Sequence, residues 1–499
     1  MAAMWVAACA SAPPKPAAPP VDLAKADALV AEGCYDCLIE AHDLYQKAAA
    51  IPRLRLSVLA RLFESTVLIG LREKELALDP SARFAEATAL APELPPTYDT
   101  ATYLKIATTI LPDGVGTPSR EMAKVTRAAP AELDAWRAGL GAGEGSATFR
   151  KYLLVGVECM DTRRPSTTAS ATASASGTDP QILVYRRSMC PRMDRVMLGG
   201  LIEADPRMIE AGVLVGRVRS PTPTSKEIAD AKTWLAAGDA RWPNSPVVTY
   251  ALGSLYQTVG DCRTALTYYD RTLALRPLHE DGHLGRLICL SYTKQHPVAI
   301  DEASGMITDK VIEGEARFWR AWNYRETGKL TDARADSDRM KQILYNDRAM
   351  LLAGQIEYDQ VDLDVAEKDL KAAYQLNPNQ CLAPWYLGLV NLKRQSWVPT
   401  AERFVAAMSC YETAVAYDNE KLAEMRKAEG VDETWRASQI AGFEAAIRDD
   451  TAQVSASAFN AAVNYARANN RVKALEYCDL ADRDPNRRAQ VAELRALLK

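Results

Sequence analysis

The sequence predicts an all-α protein built as a solenoid of helix-turn-helix repeats. Alanine recurs at a nearly constant interval, at Ala231, Ala265, Ala299, Ala333 and Ala366. A second set of mostly small residues lies twelve positions before these alanines, and prolines recur with the same period. A constant period of about 34 residues is typical of stacked helical hairpins.

The spacing of twelve indicates how the two helices of each hairpin pack. Gly253 precedes Ala265, and Gly354 precedes Ala366, at this spacing. Small residues at these places let the two helices approach closely, and Gly260 is expected to form the turn between them. A single hairpin cannot bury its own apolar face, so the hairpins are expected to stack.

These residues resemble the tetratricopeptide repeat (TPR) family. The best copy carries Leu252, Gly253, Tyr256, Ala265, Tyr269 and Pro277, and another carries Gly354, Ala366, Leu370, Ala373 and Pro378. The resemblance implies a superhelix whose concave face is lined by the first helix of each repeat. It also implies that this face binds a protein or peptide partner.

The positions that bind peptides in the family can be transferred one by one to this chain. They are Tyr250, Gln257, Tyr292, Phe318, Trp322, Arg325, Gln355, Tyr358, Trp385 and Lys393. Aromatic rings beside Arg and Gln suit capture of an extended peptide. The alternative is that Trp319, Trp322 and Trp385 pack in the core between repeats, since large rings are often buried without a binding role.

Pattern and composition divide the 499 residues into six segments. They are a lipoprotein signal remnant with a Pro/Ala tether (1–20), a degenerate TPR-like hairpin region (21–96), an irregular helical region with a disordered Ser/Thr/Ala loop at 165–178 (97–205), the core TPR array (206–410), a helical insertion (411–452), and a terminal TPR-like repeat with a capping helix (453–499). A solenoid can reach this length because it grows lengthwise rather than around one core.

The amino terminus resembles a bacterial lipobox, because the small apolar run Val6-Ala7-Ala8 precedes Cys9. This predicts acylation of Cys9 and attachment to the bacterial cell envelope, at the outer membrane or on the periplasmic face. The Pro/Ala-rich residues that follow would act as a spacer. The apolar run is short and no Lys or Arg precedes it, so an incidental Cys9 or a start codon assigned too far downstream remain alternatives.

Ten cysteines favour an oxidising compartment. The predicted disulfides are Cys34–Cys37, Cys159–Cys190, Cys262–Cys289 and Cys381–Cys410, which leaves Cys478 unpaired. The alternative is that several cysteines are small buried helix residues. The Cys34-Tyr35-Asp36-Cys37 sequence also has redox and half-zinc-site interpretations, but neither a βαβ pattern nor a second ligand pair accompanies it.

No catalytic, cofactor-binding or metal site is predicted. Glycine-rich phosphate loops and the GxSxG pattern are absent, and the His279/His283 pair lies at a repeat junction rather than in an HExxH helix. A formal charge of −4 gives no case for nucleic-acid binding. The sequence therefore predicts a membrane-anchored, non-enzymatic scaffold for protein or peptide interactions. One alternative is an enzyme or ligand-binding domain in 97–205 with the array as a docking module, and another is an oligomer-forming scaffold.

Overall fold

The computed structural model describes residues 21–110, 128–160, 180–188, 195–216 and 224–499. Over these ranges the chain forms 24 α-helices and two short 3-10 turns, with one isolated β-bridge and no strand. The predicted all-α fold is confirmed. Cys9 and the predicted disordered loop at 165–178 lie outside the described residues.

The chain divides into two compact units. Within the described residues, the first unit comprises 21–75, 79–110, 128–160, 180–188 and 195–208, and the second comprises 76–78, 209–216 and 224–499. The six predicted segments stay a prediction.

Nine helices belong to the first unit in its described part. They are α1 (Leu23–Glu32), α2 (Tyr35–Ala49), α3 (Pro52–Glu75), α4 (Ser81–Leu90), α5 (Thr100–Thr109), α6 (Pro130–Ala142), α7 (Ala147–Met160), α8 (Gln181–Ser188) and α9 (Arg195–Ala204). The long helix α3 is the centre of this unit, because every residue from 62 to 75 is buried. A helix that is apolar or covered all round lies in the interior rather than at the surface.

Helix α3 carries an ion network into that interior. Arg72 is fully buried, and its guanidinium donates to Glu75 Oε2 at 2.8 Å and to the carbonyl oxygen of Gly33 at 2.8 Å. The same guanidinium lies 3.6 Å from the ring centroid of Tyr185. The Tyr152 hydroxyl donates to Glu75 Oε1 at 2.8 Å. These contacts join α1, α2, α7 and α8 to α3, because a buried charge is tolerated only when it is paired and hydrogen-bonded.

Fifteen helices form the described part of the second unit. They are α10 (Ile209–Val215), α11 (Ser225–Arg241), α12 (Pro246–Thr258), α13 (Cys262–Leu275), α14 (Glu280–Tyr292), α15 (His296–Thr308), α16 (Glu313–Glu326), α17 (Leu330–Ile343), α18 (Asp347–Asp359), α19 (Leu363–Leu376), α20 (Leu382–Lys393), α21 (Trp397–Lys427), α22 (Glu433–Arg467), α23 (Arg471–Ala481) and α24 (Arg488–Leu497). Consecutive helices pack against each other along the whole series. The unit is therefore a solenoid of antiparallel hairpins, as the period predicts.

The small residues lie at the helix seams that the spacing of twelve predicts. Ala265 and Ala366 are fully buried. A Cβ placed on Gly253 would lie 2.7 Å from the Tyr269 ring, and one on Gly354 would lie 2.6 Å from the Leu370 side chain. Since real Cβ atoms do not approach this closely, glycine at these two positions permits the close contact of the paired helices.

The region predicted as a helical insertion, 411–452, is the outer part of two long helices. Helix α21 has 31 residues and α22 has 35, whereas α13 has 14. The part of α21 before residue 411 is the second helix of the fifth repeat. The part of α22 after residue 452 is the first helix of the last repeat. Both helices continue past the array and are joined by the turn at residues 428–432, so the region is a helical hairpin continuous with the repeats.

Candidate functional site

The predicted groove residues lie on α12, α14, α16, α18 and α20, which are the first helices of five successive hairpins. The structure leaves Tyr292 and Lys393 exposed. Six more are partly exposed: Tyr250, Gln257, Trp322, Arg325, Tyr358 and Trp385. The first helices thus present a row of aromatic and polar side chains.

Arg325 and Lys393 mark the two ends of a connected cluster within this row. Arg325 Nε donates to Asp359 at 2.8 Å, and its Nη2 donates to the Tyr386 hydroxyl at 3.0 Å. The Lys393 ammonium lies 3.8 Å from the Tyr358 ring centroid, and the Tyr358 and Tyr386 rings meet edge to face at 5.5 Å. The cluster joins α16, α18 and α20, so it holds the side chains in fixed positions before any partner arrives.

Two groups of this cluster, Arg325 and Tyr358, have pKa values raised by their surroundings. Burial opposes the charge of Arg325, but Tyr386 and Asp359 outweigh burial and raise the pKa of its guanidinium. Burial, with a contribution from Asp359, raises the pKa of the Tyr358 phenol. The cluster offers a guanidinium, an ammonium and phenol hydroxyls as donors, which is a set suited to backbone carbonyls and carboxylates of a peptide.

Trp322 is partly exposed and also touches the core of the array. Its ring lies 6.0 Å from the Trp319 ring and 5.8 Å from the His296 ring. Trp319 is 6% exposed and belongs to the core. Of the two interpretations, core packing applies to Trp319, whereas Trp322 presents part of its ring outward.

Two predicted groove residues contribute little exposed area. Phe318 is 8% exposed, and the Arg348 guanidinium covers its ring at 4.5 Å from the centroid. Gln355 is 9% exposed. Because their neighbours cover them, these two residues pack within the array rather than offering contact area to a partner.

Sequence reasoning missed Arg348, Asp359 and Tyr386. A signal for two of them was present, since Arg348 and Asp359 occupy the second and thirteenth places of their repeat, which belong to the family's ligand-facing set. The role of Tyr386 could not be read from position, because it depends on the contact with Arg325 in a helix two repeats earlier.

Three of the four predicted cysteine pairs lie within the described residues, and the structure joins each as a disulfide. The Cα–Cα distances are 4.9 Å for Cys34–Cys37, 5.2 Å for Cys262–Cys289 and 5.4 Å for Cys381–Cys410. These distances lie in the usual range for disulfides. The proposed Cys159–Cys190 pair falls outside the residues whose side chains are described.

Cys478 is a free, fully buried cysteine in α23. Burial raises the pKa of its thiol, with opposing and reinforcing contributions from nearby charges. A buried neutral thiol reacts slowly, so Cys478 behaves as a small core residue of the last repeat.

The Cys34–Cys37 pair has a third ligand-type group beside it. The two sulfurs and an Asp205 carboxylate oxygen lie within 4.8 Å of one another, and all three residues are buried. Both Asp205 oxygens, however, accept hydrogen bonds from Arg207, at 3.0 Å and 2.9 Å. The sulfurs form a disulfide at the start of α2, and the carboxylate is paired with a guanidinium. These three groups therefore have structural partners and are not arranged as metal ligands.

The two histidines of the His279/His283 pair have separate structural contacts. His279 Nδ1 accepts from the backbone N–H of Gly282 at 3.0 Å, so it caps α14. His283 contacts Glu302 at 2.5 Å and the carbonyl oxygen of Pro277 at 2.7 Å. The two rings therefore do not act as a pair.

A cavity of about 260 Å³ in the first unit bears on the alternative of a ligand-binding domain. It is lined by Asp27, Val30, Ala31, Tyr45, Arg61, Glu64, Ser65, Ser146 and Thr148. Its carboxylates are already engaged: Asp27 accepts from the Tyr45 hydroxyl at 2.6 Å, and Glu64 accepts from the Tyr98 hydroxyl at 2.7 Å. The cavity is slightly smaller than usual small-molecule sites, and two of the carboxylates that line it accept hydrogen bonds from tyrosine hydroxyls.

Among the described residues, no helix combines the length and apolar character needed to cross a bilayer.

Solved structures similar to this chain include TPR proteins. YrrB, a TPR protein with an unusual peptide-binding site, is 14% identical and covers 35% of this chain and 91% of its own, with a TM-score of 0.31. A tetratricopeptide repeat protein from Parabacteroides merdae is 14% identical and covers 60% of this chain and 98% of its own, with a TM-score of 0.34. The apo form of RapI is 11% identical and covers 72% of this chain and 97% of its own, with a TM-score of 0.37.

No family model and no curated protein matches the sequence. The similarity to TPR proteins concerns the fold, so the function of this protein must be argued from its own residues.

Proposed function

We propose that this protein is a non-enzymatic scaffold of the bacterial cell envelope, held by a lipid at Cys9, whose array binds an extended peptide segment of another protein. The observation that carries the proposal is the row of partly exposed rings and charged groups on successive first helices. Trp322, Arg325, Tyr358, Trp385 and Lys393 belong to this row.

The chemistry of the row favours a peptide over a small molecule. Partly exposed rings provide contact area at small entropic cost. The Arg325 guanidinium is held by the Tyr386 hydroxyl, and the Lys393 ammonium is held against the Tyr358 ring. These groups are distributed over α16 to α20 rather than gathered in one enclosed pocket. An extended chain can contact several of them at once, with its carbonyl groups accepting from the cations.

Removing the central groups of the row is expected to weaken partner binding. Trp322→Ala and Arg325→Ala should each cost about 1–3 kcal/mol, the range of interface hot spots, while the helical content is retained. The partner would first be isolated by chemical cross-linking in intact membranes, and the affinity then measured by calorimetry. Tyr345→Ala is the matched control, because Tyr345 is a 67% exposed ring outside the row.

Two outcomes of this experiment would contradict the peptide-binding proposal. One is unchanged affinity in both variants. The other is loss of the native state in Trp322→Ala, since that result would assign the ring to the core and move the binding site elsewhere.

The membrane anchor has its own test. Cys9→Ser should release the protein from the membrane fraction, because an acyl chain on Cys9 supplies most of the proposed membrane affinity. Cell fractionation and mass spectrometry of the amino-terminal peptide measure this directly, with Cys478→Ser as the control that leaves attachment unchanged. A wild-type protein recovered in the soluble fraction with Met1 intact would contradict the anchor.

A further inference from the structure

The outer part of the α21–α22 hairpin reaches far beyond the repeats that contain its inner ends. We call residues 412–452 the strap. Helix α21 has 31 residues, whereas the second helix of an ordinary repeat, α13, has 14. At about 1.5 Å of rise per residue, the difference corresponds to about 25 Å of additional helix.

The tip of the strap meets the opposite end of the array. Val431, in the turn between α21 and α22, forms an antiparallel β-bridge with Thr224, the residue that caps the start of α11. The Ser438 hydroxyl lies 3.7 Å from the place of a Cβ on Gly260, in the turn between α12 and α13. A hairpin that starts in the fifth and last repeats therefore ends against the first repeats.

The burial of apolar side chains near the tip supports a docked contact. Trp435 is 5% exposed and Val431 is 8% exposed, and on α21 Leu422 and Met425 are 7% and 8% exposed. Tyr417, nearer the middle of the strap, is 58% exposed. Two helices alone cannot cover a tryptophan this fully, so a third surface must cover the tip. The bridge between Val431 and Thr224 places the beginning of α11 beside these side chains.

The course of the strap follows from the shape of a solenoid. Stacked repeats curve, and in the TPR-like arrangement expected for this array the first helices line the concave side. A straight pair of helices that joins two distant repeats runs along a chord, and a chord of a curved array lies on its concave side. A strap that follows this chord would pass in front of the middle repeats, where Trp322 and Arg325 lie.

We propose that the strap closes the concave face and that a partner reaches the groove only after the tip leaves α11. This inference rests on the proposed function for the identity of the site, but closure itself is a property of the chain alone. The strap acts as an intramolecular competitor, and the population with a released tip sets the apparent affinity for the partner.

Closure can be measured with cysteine chemistry in a Cys9→Ser background of the full chain. Residues paired across an antiparallel bridge have Cα atoms about 4.5–5.5 Å apart, which suits a disulfide. Thr224→Cys with Val431→Cys should therefore cross-link on oxidation and lock the strap. Thr224→Cys with Tyr417→Cys is the matched control, and it should not cross-link.

Access to the groove is read from a reporter cysteine on α16. Glu326→Cys replaces a side chain that is 41% exposed next to Arg325. Its reaction with a bulky polyethylene-glycol maleimide, relative to N-ethylmaleimide, should be slowed by the lock at least about tenfold, since only the minor open state admits the large reagent. Val431→Asp and, separately, Trp435→Ala should release the tip and remove the difference.

A reporter at Tyr345→Cys, exposed and outside the row, should be insensitive to lock and release. Equal rates at Glu326→Cys in the locked and released proteins, or absence of the Thr224–Val431 cross-link, would overturn the proposal. Because these reactions require no partner, closure can fail while peptide binding stands, and the converse also holds.

Discussion

Arg72→Ala is expected to lower the free energy of unfolding of the first unit by about 3–5 kcal/mol, the cost of breaking a buried ion pair from one side. The substitution removes the closest guanidinium from the fully buried Glu75 carboxylate and leaves it with the Tyr152 hydroxyl and the more distant Arg186 guanidinium at 3.7 Å. It also removes the donor to the Gly33 carbonyl oxygen and the group stacked on Tyr185.

Urea unfolding with hydrogen exchange measured on peptides of α1 to α3 checks this prediction. Arg61→Ala is the control, because Arg61 pairs with Asp27 at 3.3 Å with about half of each side chain exposed, and surface pairs contribute about 0–1 kcal/mol. Similar losses in the two variants would show that the Arg72 network does not hold the unit together.

The double change Cys381→Ser and Cys410→Ser is expected to lower the free energy of unfolding by about 2–4 kcal/mol. The disulfide stabilises the fold because it closes the loop between these two residues and so restricts the unfolded chain. The bridge joins the residue before α20 to the middle of α21. Stability in a solenoid is a sum of local terms, so the loss should concentrate in these two helices.

Hydrogen exchange resolved by helix measures this effect, and peptide mapping without reduction tests its premise. The corresponding change at Cys262 and Cys289 serves as a control, since it should loosen α13 and α14 instead. Recovery of Cys381 and Cys410 as free, alkylated thiols from the oxidised native protein would contradict the disulfide.

The solenoid could be predicted from sequence because its signal is local and repeated. Gly253 and Ala265 face each other within one hairpin, and the same spacing returns at Gly354 and Ala366. Each repeat packs chiefly on its neighbours, so a one-dimensional period records the three-dimensional contact.

The course of the strap could not be predicted in the same way. Residues 411–452 read as a polar helical insertion, since most of the strap is solvated and carries no repeat signal. Its docking depends on Val431 meeting Thr224, which lies several repeats earlier in the chain. Such a contact leaves no periodic pattern in a single sequence.

The buried charges of α3 escaped prediction for a related reason. Arg72 and Glu75 look like residues of a solvated helix face, since charged side chains are mostly exposed. Their burial depends on Gly33, Tyr152 and Tyr185 arriving from other helices.

The positions of the groove residues could be predicted from sequence, but the exposed fraction of each side chain could not. Arg348 covers Phe318, and Asp359 with Tyr386 holds Arg325. The family positions specify which helix face a residue occupies, whereas its exposure depends on side chains from the next repeats.

Site-specific photo-cross-linking tests whether the first helices of the array bind a partner. A benzophenone amino acid would replace Tyr292, which is 69% exposed on a first helix, and Lys393, at the far end of the row. The same probe at Tyr345 and Val472, exposed by 67% and 79%, reports on surfaces outside the row. We expect one partner protein to be captured from Tyr292 and Lys393 in intact cells and not from Tyr345 or Val472. Capture from the outer positions alone would contradict a peptide-binding groove on the first helices.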